Sequence, residues 1–240
     1  MRFDILTLFP HIFKGFLEES LIKKGLERGL FSINILDIRE QTSDKHNTAD
    51  DSPFGGGPGM VMLTDPLLKT LEKARTPRSK AILMTPAGKK LTQSKIKELS
   101  GEGHLVIVCG RYEGLDERIS QFIDEEISLG DYVLSGGELP AAVLVEAVSR
   151  YIPGVVKELD SVENDSFSDG LLDFPHYTRP AQSEFGKVPD VLLSGNHEEI
   201  RKWRRKEQLR RTLFRRPDLM AKLELSEEDK GMIGDIALNP

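Results

Sequence analysis

"VIVCGRYEGLDERI", residues 106–119, decides how the rest of the chain reads. Val106, Ile107 and Val108 lead into the chain's one cysteine, Cys109, and then into an Arg-Tyr-Glu flanked by Gly110 and Gly114. A short continuous apolar run ended by a glycine is the pattern of a strand buried on both faces, and such strands belong to parallel sheets. Ligands of those sheets sit at the carboxyl ends of the strands, where this loop falls. Cys109 would act as a nucleophile only with a base beside it to raise its thiolate fraction. The sequence supplies none, so Cys109 is read as a small packed residue.

On either side of this stretch, strands and helices alternate. Residues 2–9 read as a strand, 11–28 as a helix with Gly29 in the C-cap position, and SINILDI (32–38) as a second strand. LTDPLLKTLEKAR (63–75) reads as a helix and KAILMT (80–85) as a strand. LTQSKIKELS (91–100) is a helix, LVIVC (105–109) a strand, ERISQFI (117–123) a short helix and EISLG (126–130) a strand. ELPAAVLVEAVSRYIP (138–153) is a strongly apolar helix. The expected fold is α/β, a mostly parallel sheet with helices on both faces, followed by a small all-α C-terminal domain. Three strand-end loops are rich in glycine or proline: TPAG (85–88), CGRYEG (109–114) and GDYVLSGGELP (130–140). Together they would present backbone amides to a flat ligand such as adenine. None matches G-x-G-x-x-G or G-x-x-x-x-G-K-[ST], which disfavours an ordinary dinucleotide or ATP site.

Beyond Pro153 the texture changes. Residues 157–189 are polar and broken by Gly170, Pro175, Pro180 and Gly186, the composition of a long functional linker. From Gly195 the chain becomes helical and basic. The expected domains are 1–160, an interdomain linker at 161–178, and a basic helical domain at 179–240. The segment 157–175 is expected to be unordered without its substrate. Residues 196–217 hold nine Lys or Arg against three Glu, a net of about +6, which leaves about −12 elsewhere in a chain whose total is −6. Such segregation is the footprint of phosphate binding.

One cysteine allows no disulfide and no cysteine-rich zinc site, which fits a reducing cytoplasmic setting. The five histidines are scattered and lack paired helical spacing, so no metal ligand set is assigned. MRFDILTLFP reads as a first strand, not a signal peptide, and no apolar run approaches the roughly 20 residues that span a bilayer. "DDSPFGGGPGM" (50–60) reads as an ordered loop near a site or a subunit interface. "ENDSFSDGLLDFPHYTRP" (163–180) reads as a loop that closes over a substrate.

"SPFGGGPGM", "CGRYEGLDERI", "GDYVLSGGELPA", "DGLLDFPHYTRP" and "LLSGNHEEIRKWR" together resemble the bacterial tRNA (guanine-N1)-methyltransferases of the SPOUT class, in order and spacing, from the first strand to about Pro217. The resemblance implies a trefoil-knotted sheet, S-adenosylmethionine as methyl donor, and N1 of the guanosine at position 37 of tRNA, 3′ to the anticodon, as acceptor. It also implies a homodimer with its active sites at the subunit interface and a magnesium requirement, for which Glu113, Asp165 and Asp169 are candidates. Carried over, the donor site falls on Thr85, Pro86, Gly88, Gly110, Tyr112, Glu113, Leu129, Gly130, Asp131, Tyr132, Val133, Leu134, Gly136 and Gly137. Asp165 matches the general base, with Asp169 its rival, and Arg150 matches the electrostatic partner. Asp173 matches a tRNA-contacting aspartate. Arg201, Lys202, Arg204, Arg205, Arg210 and Arg211 of the basic helix are expected on tRNA phosphates, and Trp203 is expected to pack its helix, with stacking on a base as the alternative. A different RNA methyltransferase of this class, and an RNA-binding protein without chemistry, are the alternatives.

Overall fold

The computed structural model describes residues 1–157 and 165–238. The chain forms two compact units, Met1–Leu159 and Asp160–Pro240.

The first unit is built on five strands: β1 (Arg2–Thr7), β2 (Ser32–Asp37), β5 (Ser79–Lys90), β6 (His104–Cys109) and β7 (Glu125–Ser128). A two-stranded ladder, β3 (Asp50–Asp51) with β4 (Val61–Met62), stands apart from them. The sheet order is β2-β1-β6-β5-β7, and every pairing in it is parallel. The helices are α1 (Lys14–Leu17), α2 (Ser20–Glu27), α3 (Thr64–Ala74), α4 (Gln93–Ser100) and α5 (Glu138–Ser149). Alternate side chains of β6 enter two cores. Leu105, Ile107 and Cys109 join Phe3, Ile5, Ile82 and Met84 under α5, whereas Val106 and Val108 join Leu6, Ala81 and Leu83 under α3. Burial on both faces is why these strands read as unbroken apolar runs.

The expected helix at 11–28 is broken. A 3₁₀ turn, α1 and α2 replace it, with Glu19 extended and Ser20 at φ 59°. Phe13 and Ile22 are both buried in the same core. In one continuous helix, nine residues at about 100° each would put them on opposite sides, so the break is what buries both.

β5 also departs from a simple strand. Met84 and Lys89 both stand opposite Ile127, so residues 85–88 bulge out and the strand then resumes beside the same partner. Gly88 sits where a Cβ would collide with the backbone of Glu126 and Ile127.

In the second unit, α6 (Asp190–Leu193), α7 (His197–Arg215), α8 (Pro217–Met220) and α9 (Glu227–Leu238) surround a small core of Leu171, Leu209 and Ile236. A two-stranded hairpin, Gln182–Ser183 with Gly186–Lys187, interrupts the expected all-helical make-up. Its turn uses Gly186 at φ 132°.

Residues 165–178, the described part of the expected linker, are packed onto this unit's helices. Leu171 is 1% exposed, the Leu172 N–H donates to Thr212 Oγ1 at 2.8 Å, and Asp169 meets Arg205. The rest of that linker, 161–164, lies outside the described residues.

Candidate active site

The strands end on one edge, and their loops are bonded to each other there. The Gly137 N–H donates to Gly110 O at 2.8 Å, and Arg111 forms an antiparallel bridge with Gly136. At position 137 a Cβ would stand 2.7 Å from Cys109 Cα, so only glycine lets α5 begin against the end of β6. The first residue of α5, Glu138, is buried. Thr7 Oγ1 donates to its Oε1 at 2.8 Å, tying the ends of β1 and β6 to α5. Arg111 Nε stands 2.9 Å from Glu138 Oε2, near enough for an ion pair but out of line for a hydrogen bond. The Arg111 guanidinium also lies 4.4 Å over the Phe9 ring.

The loop at 50–60 is tied into the same assembly. Glu113 N–H donates to Met60 O and Met62 N–H to Gly114 O, each at 3.0 Å. Phe54 at its tip is fully exposed. Tyr112 takes φ 59°, a left-handed conformation that costs a residue bearing a Cβ and turns the chain sharply at the cleft.

These loops enclose a cleft of about 580 Å³. Every expected donor-site residue lines it except Gly88 and Asp131. Gly88 lies behind the loop against β7, and Asp131 points to solvent and pairs with Lys90 at 2.5 Å. Asp116, also in the wall, is held well below the usual carboxylate range by the Arg118 guanidinium and backbone N–H. Burial pushes the Cys109 thiol well above its ordinary value, and the neighbouring Glu138 adds to this. A protonated thiol at 0% exposure is no nucleophile.

Arg150 follows the last turn of α5 and is not brought to this cleft. Thirteen residues separate it from Gly137, roughly 20 Å along the helix.

In the second unit, the Asp165 carboxylate accepts from the Ser166 N–H at 2.8 Å. Asp169 is committed to Arg205 at 2.6 Å. Asp173 accepts from Phe174 N–H and holds His176 Nε2 at 2.7 Å. The candidate tRNA-binding cations differ among themselves. Arg205 is locked between Asp169 and Asp229, Arg201 meets Glu198 and Glu228, Arg210 meets Glu207, and Lys202 lies near Glu198 and Glu199. Among the described residues Arg204 and Arg211 have no carboxylate partner. Trp203 stands 6.3 Å from the Tyr177 ring. Arg111 and Glu138 were missed from the sequence: their partners, Thr7 and Phe9, are more than a hundred positions away, so no local pattern marks them.

Comparison with known proteins shows the family of the chain. The family model described as tRNA (Guanine-1)-methyltransferase TrmD matches residues 1–222. A tRNA (guanine-N(1)-)-methyltransferase of Citrifermentans bemidjiense is 53% identical over 239 residues, covering 98% of this chain and 96% of that protein. Proteins of the same name from Geobacillus kaustophilus and Dictyoglomus turgidum are 52% and 49% identical, each covering 96% of the relative and at least 96% of this chain. The chain belongs to the tRNA (guanine-1)-methyltransferase family.

Proposed function

We propose that this chain methylates N1 of the guanosine next to the anticodon of tRNA, with S-adenosylmethionine as donor. The observation that carries the proposal is the glycine-floored cleft, made by three strand-end loops, in a chain of this family. Its volume, about 580 Å³, is that of a small-molecule site. The close-approach backbone at Gly110, Gly136 and Gly137 and the apolar Leu129 and Leu134 suit an adenosine. Held there, S-adenosylmethionine supplies an electrophilic methyl group. The trefoil knot belongs to this proposal too, with the 85–88, 109–114 and 130–137 loops as its crossings.

Guanine N1 carries a proton at neutral pH and is a poor nucleophile until it leaves. Asp165 takes that proton as general base, an effect worth about 10²–10⁴-fold. Asp169, paired with Arg205 at 2.6 Å, is its rival. Arg150 offsets the negative charge that deprotonation pushes onto O6.

The position of Arg150, roughly 20 Å along α5 from the cleft floor, supports a dimer in which a second copy supplies it. So do Tyr132, Val133 and Leu134 on the cleft rim and Leu139 and Val143 on α5, large apolar side chains left exposed. The first unit is read as donor-binding and the second as tRNA-binding. Any magnesium would have to act without a preformed cage, since no group of three or more His, Cys, Asp or Glu comes together among the described residues. Among those residues no helix is long and apolar enough to cross a membrane, and the proposed setting is the cytoplasm.

The test is mass spectrometry of unmodified tRNA after a single turnover with labelled donor. The expected product carries one methyl at N1 of that guanosine, and Asp165→Asn lowers the rate by about 10²–10⁴-fold. Near-normal chemistry in that variant would remove Asp165 as base. No labelled tRNA at all would remove the proposal.

A further inference from the structure

The second unit contains a cavity of its own, about 500 Å³, that the methyl-transfer site does not use. Its walls are aromatic and cationic: Phe174, Tyr177 and Trp203, with Arg179 and Arg204 beside them. The Arg204 guanidinium lies 4.8 Å over the Phe174 ring. Tyr177 is half exposed, so these rings are not simply a core.

The charges around the cavity discriminate between occupants. Most cations of α7 are neutralised inside the unit: Arg201, Arg205, Lys206 and Arg210 all meet carboxylates. Arg204, Arg211 and Arg215 do not, among the described residues. They are spaced seven and four residues apart, which puts all three on one face of the helix. A row of unneutralised guanidiniums leading into a pocket of rings complements a phosphate chain with an exposed base. A peptide or a second copy of the chain would not need that row.

We infer that this cavity takes one unpaired nucleobase of the RNA, other than the target guanosine, by stacking on Tyr177 and Trp203 while Arg204 meets the adjoining phosphate. The inference rests on the proposed tRNA substrate. Stacking of this kind accepts any base, because every base has a π face.

Trp203 is the chain's only tryptophan, so its emission reports on the cavity alone. Titration of the full chain with a tRNA transcript is expected to quench that emission saturably. A fully paired RNA duplex of similar length, whose bases are unavailable, should not. Tyr177→Ala is expected to weaken tRNA binding by roughly 5- to 150-fold, the range for loss of one stacked base. Tyr177→Phe keeps the ring, controls for misfolding, and should bind as the parent does.

Unchanged emission, equal quenching by the duplex, or unaltered affinity in Tyr177→Ala would each overturn the inference. So would a shift of Tyr177→Ala from dimer to monomer in sedimentation without RNA, which would show that the cavity seats a second copy. Methylation by the unmutated protein is scored in parallel. If it is normal while the cavity arm fails, only this inference falls. If it is absent, the proposed function falls first.

Discussion

Gly137 shows how little freedom the cleft allows a single residue. A methyl group there would meet Cys109 Cα at 2.7 Å and Gly110 N at 3.0 Å, and backbone cannot step aside as a side chain can. Gly137→Ala is therefore expected to displace the first turn of α5 and weaken donor binding at least about tenfold, about 1.4 kcal/mol, measured by isothermal titration. Cys109 makes the opposite prediction. Its thiol is buried and protonated, so Cys109→Ala should retain methylation and lose only about 1 kcal/mol of stability, as a typical substitution does. A large loss of single-turnover rate would contradict that. The packing role of Cys109 was legible because it ends an apolar strand with no base near it in sequence. The importance of Arg111 and Glu138 was not, because Thr7 and Phe9 reach them only through the parallel pairing of β1 with β6.

Among the elements, α7 and α9 are joined by a charged clamp. Arg205 Nε and Nη2 bond Asp229 at 2.8 and 3.0 Å, and Nη1 bonds Asp169 at 2.6 Å. Asp229 also exchanges hydrogen bonds with Ser226, the reciprocal pattern of a helix N-terminal box. Arg205→Ala should cost about 1.5–3 kcal/mol, the range for hydrogen bonds to charged groups, read as a lowered thermal midpoint of the second unit. The Arg205 hydrogen bond holds the Asp229 carboxyl below its usual value; burial opposes this and Ser226 adds to it. A carboxylate depressed on folding contributes stability above its unfolded value, about 4, and loses it as pH falls through the folded one. The second unit should therefore loosen progressively below about pH 4, and Asp229→Asn should flatten that dependence. A parallel decline in the variant would show that other carboxylates dominate. Residues 165–178 read as linker because they are polar and glycine-broken by composition; their order comes from α7 and α9, some thirty to sixty-five residues later.

For the whole molecule, the alternation of strand and helix was enough to read the parallel sheet, because continuous apolar strands have few other uses. The basic helix was legible as a net charge but not as an inventory, since several of the acids that pair with it, Asp169, Glu228, Asp229 and Asp235, lie outside it in sequence. Four arginines of the second unit, Arg179, Arg204, Arg211 and Arg215, have no carboxylate partner among the described residues. If these four make the phosphate contacts, a log–log plot of tRNA affinity against salt should slope about −2.8 to −3.6, at about 0.7–0.9 per phosphate. A slope twice as steep would mean that internal ion pairs open on binding. The bulge in β5 has a consequence of another kind. Because the strand resumes opposite the same Ile127 it left, Thr85 to Ala87 are outside the register of the sheet. Those three positions line the cleft, so its wall can vary in sequence while the hydrogen-bond ladder that assembles the sheet remains unaltered.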